Sequence, residues 1–160
     1  EEGGKVTRDA GPVKGGKTVI AFVEDPTGYK WELLQRDATP EPLCQVMLRV
    51  NDLAKSTAWY KDVLGMQLVR ERENQQYKYN LGFMGYGPEE SNMVCELTWN
   101  YEPQEYTKGN AYSHVTLATR DLQKTAAAIR EAGGQVVGED DQSLTTVDPN
   151  GYRFVFVEEK

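Results

Sequence analysis

Histidine is nearly missing from this chain: His114 is the one copy among 160 residues. A zinc site built from three histidines is therefore excluded within the chain, and a two-histidine, one-carboxylate iron site would need a second histidine. Cysteine is scarce too. Cys44 and Cys95 supply no disulfide framework, so the expected setting is reduced and intracellular, cytoplasmic by default. No apolar run approaches the ~18 residues of a membrane-spanning helix. Positive charge is outweighed: 18 Lys and Arg against 25 Asp and Glu leave a net charge of -7. That balance disfavours nucleic acid and anionic membranes as partners. The remaining composition, 39% hydrophobic and 27% charged, is ordinarily globular. The chain starts on Glu1 rather than Met, and Glu1–Val6 matches Glu131–Val136, midway through a repeated unit. The expectation is a piece of a longer chain, with any organellar targeting upstream out of view.

What the chain has instead is repetition. Gln45-Val46-Met47-Leu48-Arg49-Val50-Asn51-Asp52-Leu53 aligns without a gap with His114-Val115-Thr116-Leu117-Ala118-Thr119-Arg120-Asp121-Leu122, at an offset of 69, and the match continues to Gly65 against Gly134. A second repeat sets Asp25-Pro-Thr-Gly-Tyr-Lys-Trp-Glu32 against Asp148-Pro-Asn-Gly-Tyr-Arg-Phe-Val155. Met93-Val-Cys-Glu96-Leu is a third copy of that strand. Gln45 and His114 thus occupy one slot of the unit, and Glu32, Glu96 and Val155 another.

Each unit reads as a strand, a helix and three strands. Residues 1–38 carry trailing strands of a truncated unit, expected near Thr18–Val23 and Tyr29–Gln35. Residues 39–43 form a linker with Pro40 and Pro42, residues 44–108 a complete unit, and residues 109–160 a second, shorter one. In the complete unit the spacing predicts a strand over Gln45–Val50, an Asp52-capped helix over Leu53–Leu64, and strands over Met66–Arg72, Tyr77–Phe83 and Asn92–Trp99. The last unit repeats this with a strand over Ser113–Thr119, an Asp121-capped helix, and strands near Gln135–Val137, Leu144–Val147 and Tyr152–Val157. Gly65 and Gly133-Gly134 close the helices. The two Asp-Pro-X-Gly stretches are turns in which Pro presets one residue and Gly takes the left-handed one. The fold class is α+β.

Strand alternation puts Gln45, Met47 and Arg49 on one face, and Glu96, Thr98 and Asn100 on one face. Cys44 and Cys95 then face away from the neighbouring polar residue. Gln45, Glu96 and Glu32 offer oxygens, which suit a hard or borderline divalent ion. The carboxylates of Glu32 and Glu96 sit between apolar neighbours, and a buried carboxylate needs a partner that a cation can provide. His114 pairs in the repeat with Val155, which binds no metal, so its reading stays divided between ligation and structure.

At these residues the chain resembles a known family. Cys44-Gln-Val-Met-Leu-Arg-Val-Asn-Asp-Leu, Leu64-Gly-Met-Gln-Leu-Val-Arg, Tyr77-Lys-Tyr, Met84-Gly-Tyr-Gly-Pro-Glu, Cys95-Glu-Leu-Thr-Trp-Asn, Asn110-Ala-Tyr-Ser-His and Gly11-Pro-Val-Lys-Gly-Gly resemble glyoxalase I, the lactoylglutathione lyases, most of all the plant-type form with two domains. The resemblance implies paired βαβββ modules of the vicinal-oxygen-chelate fold, the first incomplete here. It implies isomerisation of the methylglyoxal–glutathione hemithioacetal to S-lactoylglutathione, with glutathione as co-substrate. It implies metal ligands at Gln45, Glu96 and Glu32, with a fourth, a histidine, upstream of residue 1. Glu32 becomes the base and Glu96 a ligand or second acid–base group. Arg49 and Asn100 match positions that grip the γ-glutamyl end, and Lys14 and Lys17 lie in the loop over the glycyl end. His114 matches a ligand of a second site, from which Val155 departs. The short loops resemble the nickel- or cobalt-activated class, with zinc and manganese as alternatives. Implied partners are the small-molecule substrate and either the remaining modules of the parent chain or a swapped second copy. Two other readings stay open: a binding module of the same fold that holds metal or a thiol ligand without turnover, and an inactive fragment.

Overall fold

The computed structural model describes residues 4–14, 16–39, 42–102 and 105–159. Two compact units result, Glu1–Pro42 and Leu43–Lys160. The described residues hold two helices and mixed sheets, so the α+β expectation holds.

The first unit is a three-stranded antiparallel sheet of β1 (Lys5–Pro12), β2 (Val19–Glu24) and β3 (Lys30–Leu34), in that order. β2 and β3 fall where the pattern put them. β1 corrects the sequence reading, which placed only trailing strands near Thr18–Val23 and Tyr29–Gln35. The cause is its composition: one exposed Val6, charged neighbours and a Gly-Pro end give no apolar alternation, and its register with β2 shifts twice. The backbone closes β1 onto β2 through Val13 N–H to Thr18 O at 2.7 Å.

Asp25 organises the turn that follows. Its Oδ1 accepts from Thr27 N, Thr27 Oγ1 and Tyr29 N, and its Oδ2 from the Trp31 indole at 3.1 Å. Gly28 takes φ 91°, as the turn chemistry requires. These bonds, the Thr27 hydroxyl first and Trp31 next, pull the Asp25 carboxyl down from 3.8 to about 2. A depressed carboxylate stabilises the fold above its unfolded value and loses that contribution as pH falls through the folded one. The Trp31 indole N–H resonance is accordingly expected to move as pH falls from 3.8 through about 2, and to differ from wild type above that range in Asp25→Ala. A Trp31 signal flat across that range would refute the arrangement.

In the second unit, β4 (Gln45–Arg49), β5 (Gln67–Asn74), β6 (Tyr79–Gly85) and β7 (Val94–Asn100) form a sheet of order β4-β7-β6-β5. β8 (Val115–Thr119), β9 (Val136–Glu139), β10 (Ser143–Val147) and β11 (Arg153–Glu158) form another, of order β8-β11-β10-β9. In both, the first strand runs parallel to the last and the remaining pairs are antiparallel. Helices α1 (Leu53–Asp62) and α2 (Leu122–Glu131) supply the crossovers. Asp52 and Asp121 cap them by accepting from Lys55 N and Lys124 N, each at 2.9 Å. Gly65 and Gly133 follow with φ 69° and 78°.

Several boundaries differ from expectation by one or two residues, and the starts of β6 and β8 bear on the site. Asn74 Oδ1 accepts from Tyr77 N and Lys78 takes φ 54°, so the strand predicted from Tyr77 starts at Tyr79. The strand predicted from Ser113 starts at Val115, which leaves His114 outside it.

One buried cluster spans both sheets and both helices of this unit. It includes Leu48, Tyr60, Val63, Cys95, Leu97, Ile129, Leu144, Phe154 and Phe156. The Asp148-Pro-Asn-Gly turn seats on the start of α1. Asn150 Oδ1 accepts from Asn51 N, and its Nδ2 donates to Ser56 Oγ, both at 3.0 Å. The Tyr60 hydroxyl donates to buried Asp148 at 3.3 Å. With the core on one face of each sheet, the opposite face is left open, and Gln45, Arg49, Glu96 and Asn100 stand on that face of the β4–β7 sheet.

Candidate functional site

Register decides which side chains meet. On β4 and β7, Gln45 pairs with Val94, Met47 with Glu96 and Arg49 with Thr98. Paired residues share a sheet face, so Gln45, Glu96, Thr98 and Arg49 stand together, while Leu48 and Leu97 point into the core. Cys95 faces the core as expected, and burial pushes its thiol up to about 11. Leu81, Phe83 and Val94 form a small buried apolar floor on the open face.

A row of side chains crosses this face from strand to strand. Arg70 pairs with Phe83 and Phe83 with Glu96. The Arg70 guanidinium lies 3.6 Å from the Phe83 ring centroid. It also forms a bidentate pair with Glu89, Nε to Oε2 at 2.8 Å and Nη2 to Oε1 at 2.9 Å. Bonding to Glu89, opposed by partial burial and helped by the charges of Glu89 and Glu96, raises the Arg70 pKa above its ordinary value. Gln45 Nε2 donates to Glu89 Oε1 at 3.4 Å. Thr98 Oγ1 lies 3.5 Å from Glu96 Oε1.

The first unit has the same row. Arg8 pairs with Phe22 and Phe22 with Glu32, and the Arg8 guanidinium sits 5.9 Å from the Phe22 centroid. Desolvation by neighbouring side chains, opposed by Arg8, raises the Glu32 pKa. Glu32 is nonetheless exposed, and Trp31 and Leu33 beside it are each 51% exposed. The expected burial between apolar neighbours is therefore absent, because both faces of β3 are open among the described residues. Lys14 and Lys17 are exposed on the β1–β2 connection.

The third sheet carries no such row. Val155 pairs with Thr116 and Thr145, and Thr145 with Gly138. His114 is exposed, with its Nδ1 2.8 Å from Ser113 Oγ.

At the far end of β4 and β7 lies a cavity of about 350 Å³ lined by Val50, Asn51, Trp99, Asn100, Glu102, Glu105 and Tyr106. Asn100 Nδ2 donates to the Tyr106 hydroxyl at 2.8 Å. The Arg49 guanidinium sits 5.8 Å from the Tyr106 ring centroid. Tyr106, Arg70 and Glu89 were not singled out from the sequence as site residues. The last two end the quoted motifs Leu64-Gly-Met-Gln-Leu-Val-Arg and Met84-Gly-Tyr-Gly-Pro-Glu, which was the available signal.

Gln45 and Glu96 fit a divalent ion as hard oxygen donors on one face. Among the described residues no three of His, Cys, Asp and Glu gather as a metal cluster, so a full set needs donors beyond these two.

The family model described as Glyoxalase/Bleomycin resistance protein/Dioxygenase superfamily matches residues 43–156. The chain belongs to this superfamily. Within it, the chain is 52% identical over 164 residues to the probable chloroplastic lactoylglutathione lyase of Arabidopsis thaliana, covering 98% of this chain and 47% of that protein. It is 42% identical over 125 residues to the lactoylglutathione lyase of Salmonella typhimurium, covering 74% of this chain and 93% of that one. The crystal structure of glyoxalase I from Zea mays superposes with a TM-score of 0.91 at 47% identity, over 98% of this chain and 59% of that chain. The chain thus spans about half the length of the first plant relatives it matches.

Proposed function

We propose that this chain takes part in the metal-dependent isomerisation of a glutathione hemithioacetal to S-lactoylglutathione. The observation that carries the reading is the placement of Gln45 and Glu96 on one sheet face, on neighbouring strands above an apolar floor, in a chain similar to lactoylglutathione lyases. Gln45 and Glu96 would hold a divalent ion, nickel or cobalt in first place and zinc or manganese otherwise. When bound, the ion supplies Lewis-acid polarisation of the substrate oxygens.

The protein groups carry the proton. Glu32 takes the proton from C1 of the hemithioacetal and delivers it to C2, while the C1 hydroxyl proton passes to the C2 oxygen. The C1–H bond breaks, a C2–H bond forms, and the aldehyde-level carbon becomes the thioester carbonyl with no external oxidant. Glu96 acts as ligand or as a second acid–base group. Arg49 and Asn100 grip the γ-glutamyl end; Asn100 lines the cavity and Arg49 stands over Tyr106 of its wall. Lys14 and Lys17 offer charge to the glycyl carboxylate. His114 stays a structural or second-site residue. The sequence repeat also belongs to this reading: the Arg-Phe-Glu row occurs on two sheets and is lost on the third. β3 presents an edge that, among the described residues, pairs with β2 alone; further modules or a second copy would cover it. The proposed compartment is the cytoplasm or an organelle, since one plant relative is named chloroplastic. No helix among the described residues is long and apolar enough to cross a membrane.

The test is the ultraviolet absorbance of the product thioester, followed with hemithioacetal and the full protein. Turnover is expected with added Ni2+, lost on chelation and restored by Ni2+. A second reading is binding without turnover, the same fold holding metal or a thiol ligand. Tight metal uptake with no thioester would establish it over the first.

A further inference from the structure

We propose that Glu89, held by Arg70, is a positioning residue that fixes which end of the Gln45 amide is presented for metal binding. The proposal rests on the reading of Gln45 and Glu96 as metal donors and goes on to ask how an amide is made to serve as one. A side-chain amide has two unlike ends. Its carbonyl oxygen has lone pairs to give, whereas its NH2 group carries only protons outward. Rotating the amide by half a turn would set the NH2 toward a cation and remove the ligand. Something must hold the correct end.

Glu89 does this by acceptance. An ionised carboxylate only accepts, so the Gln45 atom facing Glu89 Oε1 at 3.4 Å has to be Nε2. Oε1 of Gln45 is thereby turned to the other side. Arg70 keeps Glu89 still: it binds both carboxylate oxygens, at 2.8 and 2.9 Å, in the fork geometry that resists rotation. The guanidinium is in turn stacked on Phe83, which is 2% exposed and fixed in the sheet. The chain of constraint therefore runs from a rigid strand residue, through Arg70 and Glu89, to a single amide. Toward Arg70 and Gln45, Glu89 acts as a hydrogen-bond acceptor. Partners of this kind orient metal ligands in many sites, and removing one typically costs about 10–100-fold in affinity.

The experiment is a calorimetric titration of the full protein, free of metal, with Ni2+ alone. Glu89→Gln is near-isosteric and can either donate or accept, so it no longer dictates the amide's direction. It is expected to weaken Ni2+ binding about 10–100-fold without moving the melting temperature of the metal-free protein. Arg70→Met should weaken it in the same sense and Arg70→Lys less so, because a lysine restores charge but not the fork. The decisive comparison uses Gln45→Glu. A carboxylate has two equivalent oxygens and cannot be turned the wrong way. In that background, Glu89→Gln should change Ni2+ affinity by no more than about 2-fold, so the double-mutant cycle shows strong coupling. If Glu89 acts only through its negative charge or through local structure, the loss is the same in both backgrounds, and the proposal is overturned. Unchanged affinity in Glu89→Gln also overturns it, while loss of binding in Glu96→Ala shows that the metal reading stands. Wild-type protein that takes up no Ni2+, or Glu96→Ala that binds as wild type, overturns that reading and the proposal with it.

Discussion

Replacing Glu32 by glutamine is expected to lower turnover of the hemithioacetal about 10²–10⁴-fold, the range contributed by a positioned carboxylate in proton transfer. The substitution keeps size and shape and removes only basicity. Glu32 lies in mid-strand on β3, paired with Phe22, and is exposed. An exposed, isosteric change is usually worth under ~0.5 kcal/mol of stability, so lost turnover cannot be charged to unfolding. Arg8 faces Glu32 electrostatically across Phe22, and Arg8→Gln serves as a control for field effects on the same row. If Glu32 carries the proton, its loss falls on kcat, with the metal still largely bound. Undiminished kcat in Glu32→Gln removes Glu32 as the base, and attention passes to Glu96, the carboxylate in the matching row of the second unit.

How much of this could be read from residues alone depended on the range of the interaction. Helix caps at Asp52 and Asp121, the left-handed glycines, and the face shared by Gln45, Met47 and Arg49 follow from local rules, and the structure has them. β1 escaped because its side chains are mostly polar and exposed; its strand is defined by pairing with β2, not by its own pattern. Arg70 and Glu89 were visible as motif ends but not as a pair. They are 19 residues apart, and their meeting depends on the register of β5 with β6 and on the course of the following loop. Asp148 was read as part of a turn, and it is. That the turn also clamps α1 through Asn150 and Tyr60 is a contact across about 90 residues, which no window of local pattern contains. The Arg-Phe-Glu row is of the same kind. Its three members come from three strands, and only the pairing register aligns them.

The shared core of the second unit sets the other large expectation. Phe154→Ala should destabilise this unit by about 3–5 kcal/mol, the usual cost of emptying a buried aromatic site. Phe154 has no exposed surface. Its ring stands edge-on to Tyr60 at 5.4 Å and lies 6.1 Å from Trp59, so β11 of one sheet is packed on the helix that crosses over the other. Tyr60 cannot readily move into the void. Its hydroxyl is tied to Asp148, and burial, reinforced by that carboxylate's charge, pushes its pKa far upward and keeps it a proton donor. Residues 44–108 and 109–160, distinct as repeats, then unfold as one body. In urea, far-ultraviolet circular dichroism and the fluorescence of Trp59 and Trp99 should show coincident transitions, both displaced by the mutation. A loss below about 1 kcal/mol, beneath the usual range for such truncations, or a β8–β11 sheet that melts while β4–β7 persists, would mean that the two halves do not share a core in energetic terms. Coincident loss would instead tie the Gln45–Glu96 face to a residue on the far sheet. Every substitution in that core would then act on the candidate metal site through stability before it acted through chemistry.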